Sequence, residues 1–223
     1  MLYDETAVRA NIRNREGKRV FFLRSEDTLT PLARDYLRKE RIEILPAQEA
    51  KLQRYRLLSG GFSEEKPEHM THLNGDVLVP KTHPRIRFRG MIDLLEAELL
   101  LCGPETGEIL ALARRLIRCD VMDEPVGAFT LYGLNAQQQR QHSHFPQDYY
   151  GIPHFMPDYS DGEQVLHLNR CRSICRQAEL CAVEAFSDRD GNLTRVDIVQ
   201  ALNRMSSMLY ILMIQRKRAY ERH

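Results

Sequence analysis

Apolar residues along this chain recur with two different rhythms. From about residue 85 onward they return every three or four positions over long stretches, the spacing that gives a helix one buried face. FRGMIDLLEAELLLC (88–102) is amphipathic in this sense, and Gly103-Pro104 ends it. ETGEILALARRLIRCDVM (105–122) predicts a second helix, residues 126–142 a shorter third, and residues 163–187 a long fourth. The turn DRDGN (188–192) separates that helix from a last one over 194–218, for which Thr194 and Asp197 have the spacing of an N-capping pair. Four or five helices with short connections predict a helical bundle.

The first part of the chain follows a different pattern. KRVFFL (18–23) is rich in strand formers, and RIEIL (41–45) alternates like a half-buried strand. Between them Thr30-Pro31 is a helix start, with Thr as cap and Pro at the first helical position, and Leu32, Ala33, Tyr36 and Leu37 share one face. Residues 46–84 read as mostly irregular, with SGG at 59–61, Pro67, Pro80 and the charged run EEKPEH. The expected organisation is a small α/β segment over 1–58, a linker and loop over 59–84, and a bundle over 85–223. The fold class is thus an all-α bundle of four to five helices carrying a small strand–helix–strand appendage.

Composition narrows the partners. With 43% hydrophobic and 28% charged residues, the chain can form a packed core. Thirty-two Lys and Arg against 31 acidic residues give no global attraction to nucleic acid or to an anionic membrane, so anion binding must come from local clusters. No apolar run is long enough to span a membrane. MLYDETAVRANIR at the start lacks a secretory h-region. Five cysteines, an odd number without scaffold spacing, fit reduced thiols in a cytoplasm.

Four constellations carry candidate chemistry. In RCRSICRQAEL, Arg172 and Arg176 are four apart and Glu179 follows at i+3, on one helical face. Paired guanidinium forks suit a polyphosphate, although a solvated face with an internal ion pair has the same spacing. Asn203-Arg204 with Ser206 forms a polar run at the edge of an apolar helix and needs partners, either a ligand or a neighbouring helix. Thr71, Lys81 and Arg85 lie ahead of a helix whose early turns contain Asp93; cations there with free N–H groups make an anion site, without the spacing of a Walker A loop. His167, Cys171 and Cys175 repeat at four on one helix, as metal ligands or as ordinary core residues. HSHFPQDYYGIPHFMPDYSDG (142–162) is too long and too aromatic for a simple connection and is a candidate functional loop; its His142, His144 and His154 read as solvated residues by default, or as metal ligands or contacts to a bound ligand.

Taken in order, PRIRFRGMIDLLEAEL, RCRSICRQAE and ALNRMSSMLYIL resemble the conserved blocks of propanediol-utilisation-type ATP:corrinoid adenosyltransferases. SHFPQDYYGIPHFMP, THLNGDVLVPKTHPRIRFRG and LTPLARDYLRKERIEIL are more similar still to the ethanolamine-utilisation branch, and the resemblance covers residues 20–216. It implies a homotrimer of helical bundles with sites between subunits, taking ATP with Mg and cobalamin as substrates. Cobalt(I) would attack the 5′-carbon of ATP and triphosphate would leave, so no protein nucleophile is needed.

Residue by residue, the resemblance implies that Arg172 meets Asp93 of the adjacent subunit and that Arg176 holds the triphosphate. Glu179 and Asn203 would contact the nucleotide, with Thr71 and either Lys81 or Arg85 completing the phosphate grip. Phe155 would block the lower face of cobalt, with Tyr149 and His154 also in the cobalamin site. No resident protein metal is implied. A cysteine cluster that some ethanolamine-type members carry ahead of the bundle is missing, since no cysteine precedes Cys102. Other departures are Gln177 and Leu180, where the family has Arg, and NGD (74–76) in place of a Gly-rich nucleotide loop. The implied location is cytoplasmic or within a bacterial microcompartment, with a reductase or shell protein as partner and neither nucleic acid nor membrane. The competing reading is a non-enzymatic helical scaffold or docking protein.

Overall fold

The computed structural model describes residues 1–15, 17–47 and 55–220, and the chain divides into two units, Met1–Lys81 and Thr82–His223.

In the first unit, β1 (Leu2–Tyr3) leads into α1 (Glu5–Ala10), capped by Asp4, whose carboxylate accepts the Ala7 N–H at 2.8 Å. β2 (Arg13–Arg15), β3 (Lys18–Leu23), β4 (Thr28–Leu29), α2 (Pro31–Lys39) and β5 (Glu43–Pro46) follow. Thr30 caps α2 as expected, its hydroxyl accepting the Ala33 N–H at 3.2 Å with Pro31 at the first position. β3 pairs antiparallel with β2 and parallel with β5, with α2 as the crossover. Val8, Phe21, Leu29, Ala33, Leu37 and Ile42 form its small core.

The expectation of irregular chain over 46–84 is corrected by a four-stranded sheet, although residues 48–54 lie outside the described residues. β6 (Tyr55–Leu57), β7 (Phe62–Ser63), β8 (Met70–Asn74) and β9 (Val77–Pro80) assemble in the order β7-β6-β9-β8. β8 and β9 form a hairpin that buries Leu73, Val77, Leu78 and Val79. The NGD triplet is its turn, with Gly75 at φ 50°, a conformation glycine adopts without a Cβ penalty. Strands of two to five residues interrupted by charges leave little periodicity to read, which is why the sheet is silent in the sequence.

The second unit is the bundle. α3 (Pro84–Cys102) is capped by His83, whose ring nitrogen accepts the Arg85 N–H at 3.2 Å, and ends at Gly103. A 3-10 turn (Pro104–Thr106) leads into α4 (Gly107–Met122). The expected helix over 126–142 is shorter: residues 130–135 form the hairpin β10 (Thr130–Leu131) and β11 (Leu134–Asn135), and α5 spans Ala136–His144 behind an Asn135/Gln138 capping box. The loop over 142–162 contains α6 (Pro146–Tyr150) and a 3-10 turn, Tyr159–Asp161. α7 (Glu163–Phe186) and α8 (Val196–Tyr220) complete the unit.

α7 packs along both α3 and α8. α8 buries Ile198, Leu202, Met205, Leu209, Ile211 and Ile214 all round, so it sits inside the bundle rather than on its face. Each such side chain contributes about 1.5–3 kcal/mol by leaving water. Thr194 does not cap α8. Its hydroxyl donates to the Phe186 carbonyl at 2.7 Å, closing the α7–α8 turn, while Asp197 accepts the Val126 N–H at 2.9 Å. The chain is therefore predominantly helical, but not purely so, because the described residues also form four small sheets.

Candidate active site

α7 carries Leu168, Cys171, Cys175, Ala178 and Ala182 on its buried stripe. Arg172, Arg176 and Glu179 run beside that stripe, so packing of the stripe aims all three along one edge of the helix. α8 presents Asn203, Ser206, Ser207, Tyr210 and Met213 toward the same space, and the loop contributes Ser143, His144, His154 and Phe155. Together they enclose a cavity of about 1100 Å³ within the second unit.

One end of the cavity is polar. Asn203 Nδ2 donates to Glu179 Oε1 at 3.0 Å, joining α8 to α7. Arg204, next along α8, donates from Nη2 to Asn203 Oδ1 and from Nη1 to the Ala136 carbonyl at 3.4 Å. Arg176 is exposed, while Arg172 is half-buried with its guanidinium 5.2 Å from the centre of the Tyr210 ring. Burial, and then the charge of Arg176, pull the Arg172 pKa below the ordinary guanidinium value. Its Nε is buried without a hydrogen-bond partner. An anion arriving between these two arginines would relieve both penalties.

The other end is aromatic. The Tyr210 ring stacks on His154 at 5.6 Å and on Phe155 at 5.8 Å, and the Phe155 N–H donates to the Tyr210 hydroxyl at 3.1 Å. His154 Nε2 donates to the His144 carbonyl at 2.9 Å, and its Nδ1 lies 3.1 Å from the Tyr210 hydroxyl. Lys217 places its ammonium 4.9 Å from the centre of the Phe155 ring and pairs with the buried Asp161. The loop is thus fastened from below by α8.

Of the residues singled out by sequence, the cavity brings together Arg172, Arg176, Glu179, Asn203, His154 and Phe155. Tyr149 is not among the lining residues; its ring stacks on His142 at 3.8 Å. Asp93 is exposed on α3. Arg85 is engaged elsewhere in the same unit: its Nε donates to Asp120 Oδ1 at 2.8 Å and its Nη2 to the Asp120 carbonyl at 2.7 Å, while Arg89 donates to Asp120 Oδ2 at 2.6 Å. Asp120 is fully buried, so these arginines neutralise it. Thr71 and Lys81 belong to the first unit. Thr71 is on β8, and Lys81 follows β9 with its ammonium 3.5 Å from Glu68.

The His167, Cys171 and Cys175 set does not form a ligand group. His167 is exposed beside Glu163, whereas Cys175 is buried with its thiol donating to the Leu202 carbonyl at 3.3 Å, and burial pushes that thiol's pKa up. Among the described residues no group of three His, Cys, Asp or Glu side chains converges as metal ligands would. Sequence reasoning missed Tyr210 and Lys217. Tyr210 lies in the apolar run MLYILM and reads there as core.

The chain that builds this cavity is similar to known proteins. The cobalamin adenosyltransferase family matches residues 144–216, a span that contains every lining residue except Ser143. The corrinoid adenosyltransferase EutT of Salmonella typhimurium is 32% identical over 94% of this chain and 90% of that protein. The protein of the same name from Escherichia coli K12 is 34% identical over 67% of this chain and 59% of that protein. The chain belongs to this corrinoid adenosyltransferase family.

Proposed function

We propose that the chain transfers the 5′-deoxyadenosyl group of ATP to the cobalt of a reduced corrinoid, with ethanolamine breakdown as the process served. The observation that carries the reading is the convergence of Arg172, Arg176, Glu179 and Asn203 with Phe155 around one cavity. Transfer to cobalt(I) makes the carbon–cobalt bond with the cobalt electron pair and breaks the C5′–O bond, whose electrons leave on triphosphate.

Each end of the cavity suits one half of that task. Arg176, exposed and without an ion pair among the described residues, would meet the charge growing on the triphosphate. Glu179 and Asn203 fix the nucleoside so that carbon and cobalt align, a positioning effect worth up to roughly 7–11 kcal/mol in favourable cases. Phe155 presents an apolar face that keeps water from the lower side of cobalt and so eases reduction of cobalt(II). Magnesium arrives with the nucleotide and stays mainly on phosphate oxygens and water, its usual habit. Of the two cations considered as the further phosphate ligand, Lys81 and Arg85, Arg85 is already engaged by Asp120. A trimer, in which Asp93 of one subunit meets Arg172 of the next, completes the reading.

The test is to incubate the protein with ATP and chemically reduced cobalamin and to follow formation of light-sensitive adenosylcobalamin by its absorption spectrum. Turnover is expected. Arg176→Ala is expected to lose about 10–100-fold in kcat/KM, since a charge-assisted hydrogen bond is worth about 1.5–3 kcal/mol. No product with either donor or acceptor in excess would refute the activity, and an Arg176→Ala enzyme of unchanged kcat/KM would refute the phosphate role.

A further inference from the structure

Arg204 lines no part of the cavity, yet it grips a residue that does. Its guanidinium donates to Asn203 Oδ1, and Asn203 Nδ2 donates to Glu179 Oε1 at 3.0 Å. The order of this chain is fixed by chemistry. A guanidinium can only donate and a carboxylate can only accept, so the amide between them has one orientation that satisfies both. We propose that Arg204 is a positioning residue for nucleotide binding, locking the Asn203 amide so that Asn203 and Glu179 present one fixed set of polar atoms to the nucleoside. This rests on the nucleotide reading of the cavity.

Three features set Arg204 apart from a surface arginine. It is half-buried, and its Nε is buried with no hydrogen-bond partner. Burial, followed by the nearby charge of Arg140, pulls its pKa below the ordinary guanidinium value. Its remaining fixed contact is the Ala136 carbonyl at the start of α5, at 3.4 Å. A cation held at this cost with no carboxylate bonded to it is explained by what it does to Asn203. Without Arg204 the amide is held from the Glu179 side alone, by one hydrogen bond instead of two. The polar atoms offered to the nucleoside would then be less tightly fixed.

A double-mutant cycle on ATP binding, measured by calorimetry on the full chain with magnesium present and corrinoid absent, separates positioning from structure. Arg204→Met is expected to weaken ATP binding about 5–30-fold, the factor for one charge-assisted hydrogen bond. In the Asn203→Ala background the same change is expected to have no further effect, because Arg204 then has nothing to orient. In turnover, KM for ATP should rise with kcat held within about threefold, the signature of lost ground-state binding. Arg204→Lys, which keeps a donating cation beside Asn203, is expected to retain most of the affinity, and a lysine variant as weak as the methionine one overturns the orienting role; should the methionine variant misfold, Arg204→Leu provides the same cycle.

Unchanged affinity in the single variant, or an equal loss in both backgrounds, overturns the proposal while leaving the nucleotide site intact. An Asn203→Ala protein that binds ATP normally overturns the nucleotide reading of Asn203 and this proposal with it.

Discussion

Removing one oxygen atom at Tyr210 should separate the two halves of the reaction. Tyr210 is buried, and its hydroxyl accepts the Phe155 N–H at 3.1 Å and meets His154 Nδ1 at 3.1 Å. Tyr210→Phe keeps the ring that stacks on His154 and Phe155 but strips both loop residues of a partner. Two ordinary hydrogen bonds contribute about 1–3 kcal/mol together. The Lys217–Asp161 pair still holds the far end of the loop, so the loss should fall on residues 153–156 rather than on the whole segment. A shift of about 1–2 kcal/mol multiplies the open population of those residues about 5–30-fold.

Amide exchange at Phe155 should accelerate by that factor in the variant, with α7 and α8 unchanged. If Phe155 is the apolar face that excludes water from cobalt, turnover starting from cobalt(II) corrinoid and a reductant should slow by a similar factor. Turnover starting from chemically prepared cobalt(I) should change much less. Exchange at Phe155 that stays at the wild-type rate would refute the claim that the hydroxyl fastens the loop. Equal slowing of both assays would show general damage to the site and would sink the assignment of Phe155.

The remaining predictions concern charges. Asp120→Asn should destabilise the bundle by about 3–5 kcal/mol, because Arg85 and Arg89 would face one another over a neutral, fully buried amide; a thermal melt within about 2 °C of wild type would contradict this, since 1 kcal/mol moves Tm by about 2–4 °C at this size. Burial alone would raise the pKa values of Asp161 and Asp197, but Lys217 and Arg195 with backbone N–H groups outweigh it and hold both carboxyls below their usual value. Their stabilisation is therefore complete above the unfolded carboxylate pKa of about 4 and is lost as pH falls through the lower folded values. Denaturant midpoints should thus drop steeply below about pH 4, and less steeply in Lys217→Met, where Asp161 titrates nearer its normal range. Asp93→Arg or Arg172→Asp alone should weaken the proposed trimer or its activity, and the two together should restore part of it; sizing by light scattering with an activity assay reads both, and absence of rescue with an unaltered oligomer in each single variant would rule out the intersubunit pair.

What could be read in the sequence was whatever repeats. The long helices show themselves because apolar residues return at helical spacing over several turns, and Arg172, Arg176 and Glu179 share an edge because the spacing of four and three forces it. The sheet over residues 55–80 has strands of two to five residues, too short for alternation to stand out among charges and glycines. The hairpin at 130–135 was hidden behind a Tyr at positive φ, Tyr132 at 51°, where the usual turn signal would be Asn or Gly. Asp120 did leave a signal. It occupies the stripe Ile109, Leu112, Ala113, Leu116, Cys119, and a carboxylate on a buried stripe demands cationic partners. Tyr210 left none, because an aromatic inside an apolar run is indistinguishable from core until its hydroxyl is seen to reach the loop.

On the proposed reading of the cavity, the reaction places two conflicting demands on it, and α8 separates them in space. A departing triphosphate wants charge and hydrogen-bond donors, whereas cobalt stripped of water wants an apolar face. Asn203 and Tyr210 are seven residues apart on α8, about two turns and about 10 Å along its axis. Near Asn203 the cavity is bounded by Glu179, with Arg204 behind Asn203 and outside the lining; near Tyr210 it is bounded by Phe155 and Met213. Arg172 lies between, its guanidinium over the Tyr210 ring and its Nε without a partner. Placed there, its charge reaches the polar end while its ring contact belongs to the apolar one. Neutralising it by substitution should therefore disturb both substrates, whereas Arg176→Ala should disturb ATP alone. Corrinoid affinity measured without nucleotide distinguishes the two: it should fall in Arg172→Ala and hold in Arg176→Ala, and an equal response in both would remove Arg172 from the boundary position.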